Sequence, residues 1–387
     1  MTKEEKVIAA VNAFNAGADL KSILQYYKCS KSWLYKWVKR FKSNPSGTWY
    51  REESRRPKNI SYSILEAERE AVISARLSLE KKPYSQRGAI SIQYDLQIHY
   101  QIIIPVWKIN RILKQANLNY REPKEKKVTN EYPATGVITD QMDFVGPRYV
   151  KNDGRYYSLN IIDTTTHFVH VNPLRSRESG NVLQCVVRFW QQRGIPDFLQ
   201  MDNELSFRGS NRHPRSFSKL IRLALSLRII VVFIPLKEPW RNGIIEKFND
   251  SFSRRFIKSR TYTDFAHLQN CAKEFEDFHN QQHRYAAHKN RTPLEQLKME
   301  AIRDSLPDSF VIPEDALPLK WGRIILVRFI RSDRLLDVFG EKFLMPSHLE
   351  YSYVEAVISI EDEILSVVRD CEVHWSVYYQ INQSTMC

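Results

Sequence analysis

The chain has 387 residues, 43% hydrophobic and 12% aromatic, with a formal net charge of +14. That composition excludes a disordered polyelectrolyte and allows two to four domains with real cores. No apolar run exceeds the strand-sized Ile229–Ile234, and five scattered cysteines never form a CxxC pair; these exclude a helical membrane span and a zinc or disulfide framework, and suit a reducing cytoplasm.

The charge is uneven. Residues 1–130 hold 25 Lys and Arg against 12 Asp and Glu, whereas residues 131–387 hold 33 against 32. A basic first third on a near-neutral body reads as a polyanion-binding arm. The opening "MTKEEKVIAAVNAF" predicts a charged amphipathic helix and not a signal peptide.

Residues 3–16 form the first predicted helix, stopped by Gly17. "DLKSILQYYKCSKSWLYKWVKRF" follows as two short helices about a tight turn at Cys29–Ser30, with Ser30 as the N-cap of the second. The second helix carries Lys31, Lys36, Lys39 and Arg40, the pattern of a helix-turn-helix over 1–44. Trp33 and Trp37 are assigned to packing and the lysines to phosphates. "NPSGTWYREESRRPKN" is a linker by composition, with Arg55 and Arg56 as further DNA-contact candidates.

A second helical block, residues 60–120, ends in "IPVWKINRILKQANL", where Pro105 opens a helix with Ile109, Ile112 and Leu113 on one face. It reads as a winged or helix-turn-helix unit. A charged, Pro-bounded linker closes it near residue 130. From Gly136 the texture changes to short strands with a hairpin turn at Asn152-Asp153-Gly154. A helix over 178–193, the strand "FLQMD", a helix near 213–227 and the buried strand "RIIVVFIP" follow. "PWRNGIIEKFNDSFSRRF" predicts an amphipathic helix with Ile245, Phe248, Phe252 and Phe256 at helical spacing, then a long helix fills 264–283. This order implies a mixed sheet with helices on both faces over residues 131–300. The alternation in 311–382 predicts a separate small β-barrel.

Three acids stand out by position. Asp143 lies on the first strand of the core, facing away from Met142 and Phe144. Asp202 ends the strand "FLQMD", the edge where open α/β sheets place their chemistry. Glu246 sits in the first turn of its helix, where acids also suit the dipole. Asp140 is assigned to structure, Asp163 to a turn, and His279 and His283 to packing or DNA contact. Lys247, Arg254 and Lys258 share one helical stripe, read as DNA contacts.

With "DFVGP" (143–147), "GIP…MDNE…F" (194–207), "PWRNGIIEKFN" (239–249) and "HN…HRY…RTPLEQL" (279–297), the chain resembles the DDE transposases of bacterial insertion sequences, whose integrase core is shared with retroviral integrases. The resemblance implies a multidomain protein with an α/β RNase H-like core. It makes Asp143, Asp202 and Glu246 the catalytic, metal-binding triad for two Mg²⁺ or Mn²⁺ ions, ligands that hard carboxylate oxygens suit. It implies cleavage of element ends and transfer of their 3′-OH groups into target DNA. Expected partners are double-stranded DNA, as terminal repeats and target, and further copies of the chain; no membrane is expected, and the location is cytoplasmic, at the nucleoid. The alternatives are a domesticated DNA-binding protein with an inactive core, or an RNase H-type nuclease. Two features depart from the family: Glu204 stands where relatives usually have Gly, and 43 residues separate Asp202 from Glu246, more than in retroviral relatives.

Overall fold

The computed structural model describes residues 2–52, 64–118, 138–209 and 214–383. It divides into two compact units, Met1–Ser63 and Ile64–Cys387. Arg55 and Arg56 lie outside the described residues.

The described residues of the first unit form three helices. α1 (Lys3–Asn15) starts in a capping box between Thr2 and Glu5, α2 (Leu20–Tyr26) is capped by Asp19, and α3 (Lys31–Ser43) by Ser30, whose hydroxyl accepts from Trp33 N. Val7, Val11, Ile23, Leu34, Trp37 and Val38 make its buried core. Trp33 is only partly buried at its margin, so the assignment of both tryptophans to packing holds more fully for Trp37.

The second unit begins with α4 (Glu66–Lys81), α5 (Ala89–Tyr100) and α6 (Val106–Gln115), packed around Val72, Ile92, Leu96, Ile109 and Ile112. No strand, and hence no wing, occurs among the described residues of this block. Nor does it stand alone. Tyr84, between α4 and α5, is buried against the rings of Phe256, Phe275 and Phe278, which merges the block with the core despite the linker-like composition near residue 130.

The core is a sheet with β1 (Thr139–Val150), β2 (Gly154–Asp163) and β3 (Val169–Leu174) as an antiparallel meander. α7 (Ser179–Arg193) leads to β4 (Phe198–Met201), which pairs parallel with β1. The short α8 (Leu205–Arg208) and α9 (Lys219–Ser226) lead to β5 (Ile230–Phe233), parallel to β4. Then come α10 (Gly243–Phe252), α11 (Phe265–Gln282) and the one-turn α12 (Pro293–Leu297). α7 and α9 pack on one face with Met142, Leu159 and Val231. α10 and α11 cover the other, with Ile162, Val169 and Val171. The mixed sheet with helices on both faces is as the element order implied. The free edge of β3 is capped by α11: Val169 N and O pair with the Asn280 amide at 2.9 Å, and Val171 N donates to Glu276 at 2.8 Å. Side chains thus satisfy backbone groups that would otherwise template another strand.

The expected separate β-barrel is corrected. β6 (Arg323–Phe329) pairs parallel with β5, and a small two-stranded sheet, β7 (Leu335–Val338) with β8 (Glu341–Leu344), follows it. β9 (Tyr353–Ser359), β10 (Ile364–Arg369) and β11 (Glu372–Tyr378) then add antiparallel strands, giving one nine-stranded sheet in the order β11-β10-β9-β6-β5-β4-β1-β2-β3. Alternating hydrophobicity marks a half-buried strand but does not name its partner. Here Ile324, Leu326, Ala356, Ile358 and Leu365 join the same buried cluster as α7 and α9.

Candidate active site

Asp143 lies on β1 and Asp202 just past the end of the adjacent parallel strand β4, with Gln141 opposite Gln200 in the register. Glu246 sits in the first turn of α10. Side-chain amides fasten that turn to both strands. Ile245 N donates to Gln141 Oε1 at 3.0 Å, and Asn242 Nδ2 donates to Met142 O at 3.1 Å. Gln200 Nε2 donates at 3.2 Å to both Asn242 Oδ1 and Arg241 O. These bonds satisfy buried polar groups while fixing where the helix begins.

Asp202 and Glu246 are each close enough to Asp143 to act on its charge. Burial raises Asp143 to about 7, and the charges of Asp202 and Glu246 add to the rise; a hydrogen bond from Asn249 Nδ2 to its Oδ2 (2.8 Å) opposes it. Burial also raises Asp202, as does nearby Glu204, while Arg177 and the Glu204 N–H donating to Asp202 Oδ1 (3.1 Å) oppose the rise. Glu246 is raised by burial. These are carboxylates whose charged forms are held at a cost, which a nearby cation would relieve. In kind, hard oxygens with unfavourable mutual charge fit a divalent metal. In spacing they stand apart: among the described residues no group of three His, Cys, Asp or Glu side chains is close enough to hold one metal ion.

Asn249 was not foreseen. It is three residues past Glu246, on the same helical face, and is held in turn: Asn160 Nδ2 donates to Asn249 Oδ1 at 2.7 Å and Ser158 Oγ to Asn160 Oδ1 at 2.8 Å. The i,i+3 spacing was its one sequence signal. Glu204 pairs with Arg177 at 2.8 Å, and Arg177 lies 4.9 Å from the Tyr157 ring centroid, which Arg155 also approaches at 5.5 Å.

The other candidates fall as follows. Asp140 and Asp163 are fully buried and shared by Arg303, at 3.0 and 2.6 Å, with Arg193 also on Asp163; both are structural, and the turn assigned to Asp163 is formed as well, through Thr165 N. His279 packs against Phe248 and Tyr285, and stacks on His283, which meets Gln86 at 2.8 Å and Arg255 at 3.0 Å. Both histidines are therefore packing residues. Burial lowers His279 to about 3 and places His283 well below its usual range, so both stay neutral.

On the first unit, Lys31, Lys36 and Lys39 are exposed along α3, and Arg40 is half-buried. Lys36 and Arg40 lie over Trp37, at 5.1 and 4.9 Å, and with Lys39, Trp49 and Arg51 they line an open cleft. Lys247, Arg254 and Lys258 are also exposed. Their common stripe is broken, however, because Ser253–Ile257 is a π turn, which takes more residues per revolution and moves Lys258 round the axis. Arg254 is also paired with Asp250 at 2.5 Å. The segment before α10, Pro239–Asn242, is a single 3₁₀ turn.

Residues 227–293 match the family model of the integrase core domain. That span includes Glu246 and the whole of α10 and α11, but neither Asp143 nor Asp202. Among curated proteins none matches the chain. Solved structures similar to it include the HTLV-2 integrase catalytic core domain in complex with magnesium (trimeric form), at 14% identity over 41% of this chain and 95% of that one, with a TM-score of 0.30. The catalytic core domain of BIV integrase matches at 14% identity over 42% of this chain and 95% of that one, TM-score 0.32. A chain of the simian T-cell lymphotropic virus intasome matches at 13% identity over 76% and 95%, TM-score 0.36. No helix among the described residues is long and apolar enough to cross a membrane.

Proposed function

We propose that this chain is a polynucleotidyl transferase of the DDE type, a DNA transposase that cuts the ends of an element and joins their 3′-OH groups to target DNA. One observation carries the reading: adjacent parallel strands and the helix tied to both bring Asp202 and Glu246 each within electrostatic reach of Asp143. The integrase core match over residues 227–293 and the basic first third support it.

In this reading Asp143, Asp202 and Glu246 would be the carboxylates that hold Mg²⁺ or Mn²⁺. A divalent cation bound there would polarise the scissile phosphodiester and activate the attacking oxygen. The chain's own residues orient and attract. Asn249 keeps Asp143 in one rotamer, the fastened start of α10 fixes Glu246, and Lys247 and Lys258 meet the flanking phosphates. Lys31, Lys36, Lys39 and Arg40 bind DNA from the first unit, as part of a helix-turn-helix that recognises the terminal repeats. The α4–α6 block is a second DNA-binding element. Two ends joined in one event require more than one copy of the chain.

The purified 387-residue chain is to be incubated with Mg²⁺ or Mn²⁺ and duplexes taken from the DNA on either side of its gene. Cleaved and joined products are expected, and both should vanish in Asp202→Asn. Hydrolysis without joining would favour a nuclease, binding without cleavage a regulator, and full activity in Asp202→Asn would refute the assigned site.

A further inference from the structure

Arg328, on β6, is 4% exposed although it carries a charge. Its guanidinium donates to Asn203 Oδ1 (2.8 Å), Ile234 O (3.1 Å), Val327 O (2.9 Å) and Asp337 O (2.9 Å). Asn203 closes the ring by donating from Nδ2 to Ile234 O at 2.7 Å and accepting at its own carbonyl from Arg208 Nε at 3.0 Å. Asn203 is the residue directly after Asp202. The turn that carries Asp202 is thus pinned to the end of β5 and to β6 and β7. Only a planar fork with five donors spans those segments at once; an ammonium does not.

A second brace reaches the other loop. Tyr353, at the start of β9, donates its hydroxyl to Glu238 Oε2 at 2.7 Å, and Arg241 Nε donates to the same oxygen at 3.2 Å. The Arg241 guanidinium lies 4.7 Å from the centroid of the Tyr353 ring. Glu238 precedes the turn that enters α10 and Arg241 lies within it, where Gln200 holds the Arg241 carbonyl. Strands that look like a detachable domain in sequence therefore grip the two loops from which Asp202 and Glu246 project.

We infer that β6 and β9 form a brace for the site, with Arg328 (acting through Asn203) and Tyr353 as positioning residues. The inference rests on the reading of Asp143, Asp202 and Glu246 as the reacting site. Burying a guanidinium is expensive unless hydrogen bonds compensate it. Here they do so at the loop whose register matters most for ligand geometry. Partners that orient metal-binding carboxylates typically matter by about 10–100-fold in affinity or rate.

The experiment compares full-length Asn203→Ala, Arg328→Lys and Tyr353→Phe with wild type and with Asp202→Asn. Three readouts are needed: thermal midpoint, Mn²⁺ affinity without DNA, and kcat and KM for DNA cleavage. Asn203→Ala and Arg328→Lys are expected to weaken Mn²⁺ binding and lower kcat by about 10–100-fold, with KM for DNA within about twofold. Tyr353→Phe keeps the ring and loses one hydrogen bond, so about tenfold or less is expected. Should Arg328→Lys fail to fold, Asn203→Ala decides, because Asn203 is partly exposed and its loss leaves the Arg328 bonds to backbone intact. A folded Asn203→Ala with wild-type Mn²⁺ affinity and kcat, beside an inactive Asp202→Asn, overturns the brace alone. Full activity in Asp202→Asn overturns the site and the brace with it.

Discussion

Asn249 donates a 2.8 Å hydrogen bond to Asp143 from a position three residues beyond Glu246, so one helix face both supplies an acid and steadies another. Asn160, itself buried, stands behind Asn249 at 2.7 Å. Asn249→Ala is expected to lower cleavage about tenfold or more by freeing Asp143. It should also cost about 1–3 kcal/mol of stability by leaving the Asn160 amide unsatisfied. Steady-state cleavage and denaturant unfolding check the two effects separately; an unchanged rate would show that Asp143 needs no such support.

The raised Asp143 gives stability a definite sign with pH. Its carboxyl is lifted from 3.8 to about 7, so between those values the folded chain holds a proton that the unfolded chain does not. Stability from this group is therefore complete below the lower value and lost as pH rises through the upper one. Asp140, raised by burial to about 7 despite Arg303, acts in the same sense, so a single-residue comparison is required. In EDTA, Asp143→Asn should be more stable than wild type by on the order of 2 kcal/mol near pH 8, with the difference vanishing towards about pH 4. Thermal melts across pH check this, and a constant difference would contradict the shift.

Glu204 stands beside Asp202 and holds Arg177 at 2.8 Å. The pair is partly exposed, so it contributes little to folding, but its charges matter locally. Glu204→Gln should release Arg177 to phosphates and remove a charge that raises Asp202. DNA affinity is expected to rise modestly, and its salt slope to steepen by about 0.9 for the one added phosphate contact. Arg177→Ala should have no such gain. Binding measured against salt concentration checks both, and a flatter slope in Glu204→Gln would contradict the assignment.

The first unit has its own test. Replacing Lys36 and Lys39 with Ala removes two exposed cations, one of them over the Trp37 ring, and leaves the buried core residues themselves unchanged. Binding should weaken on every DNA sequence alike, and the salt slope should lessen by about 0.9 for each lysine lost from a phosphate. An unaltered slope would place those lysines away from the backbone.

Much of this architecture was legible in the sequence because it rests on local periodicity. The α3 cap at Ser30, the hairpin at Asn152–Gly154 and the apolar face Ile245, Phe248, Phe252 and Phe256 are written in adjacent residues. The nine-stranded sheet was not, since β6 could alternate identically whether it met β5 or closed a barrel; only burial of Ile324 and Leu326 beside α9 decides. The π turn at Ser253–Ile257 leaves Phe252 and Phe256 stacked at 4.9 Å and so hides within an ordinary helical pattern. Asn249, Asn160 and Arg328 act through partners more than 80 residues away, or from another strand. Polar residues of that kind carry no signal until the chain is folded.

The central claim is that Asp143, Asp202 and Glu246 receive a divalent cation. Anomalous diffraction from crystals of the full chain soaked in Mn²⁺ tests it most directly. A peak within bonding distance of Asp143 and Asp202 oxygens, about 2–2.5 Å, with Glu246 turned towards it, is the predicted result. Ordered Mn²⁺ bound elsewhere, with these three carboxylates empty and unmoved, would contradict the account.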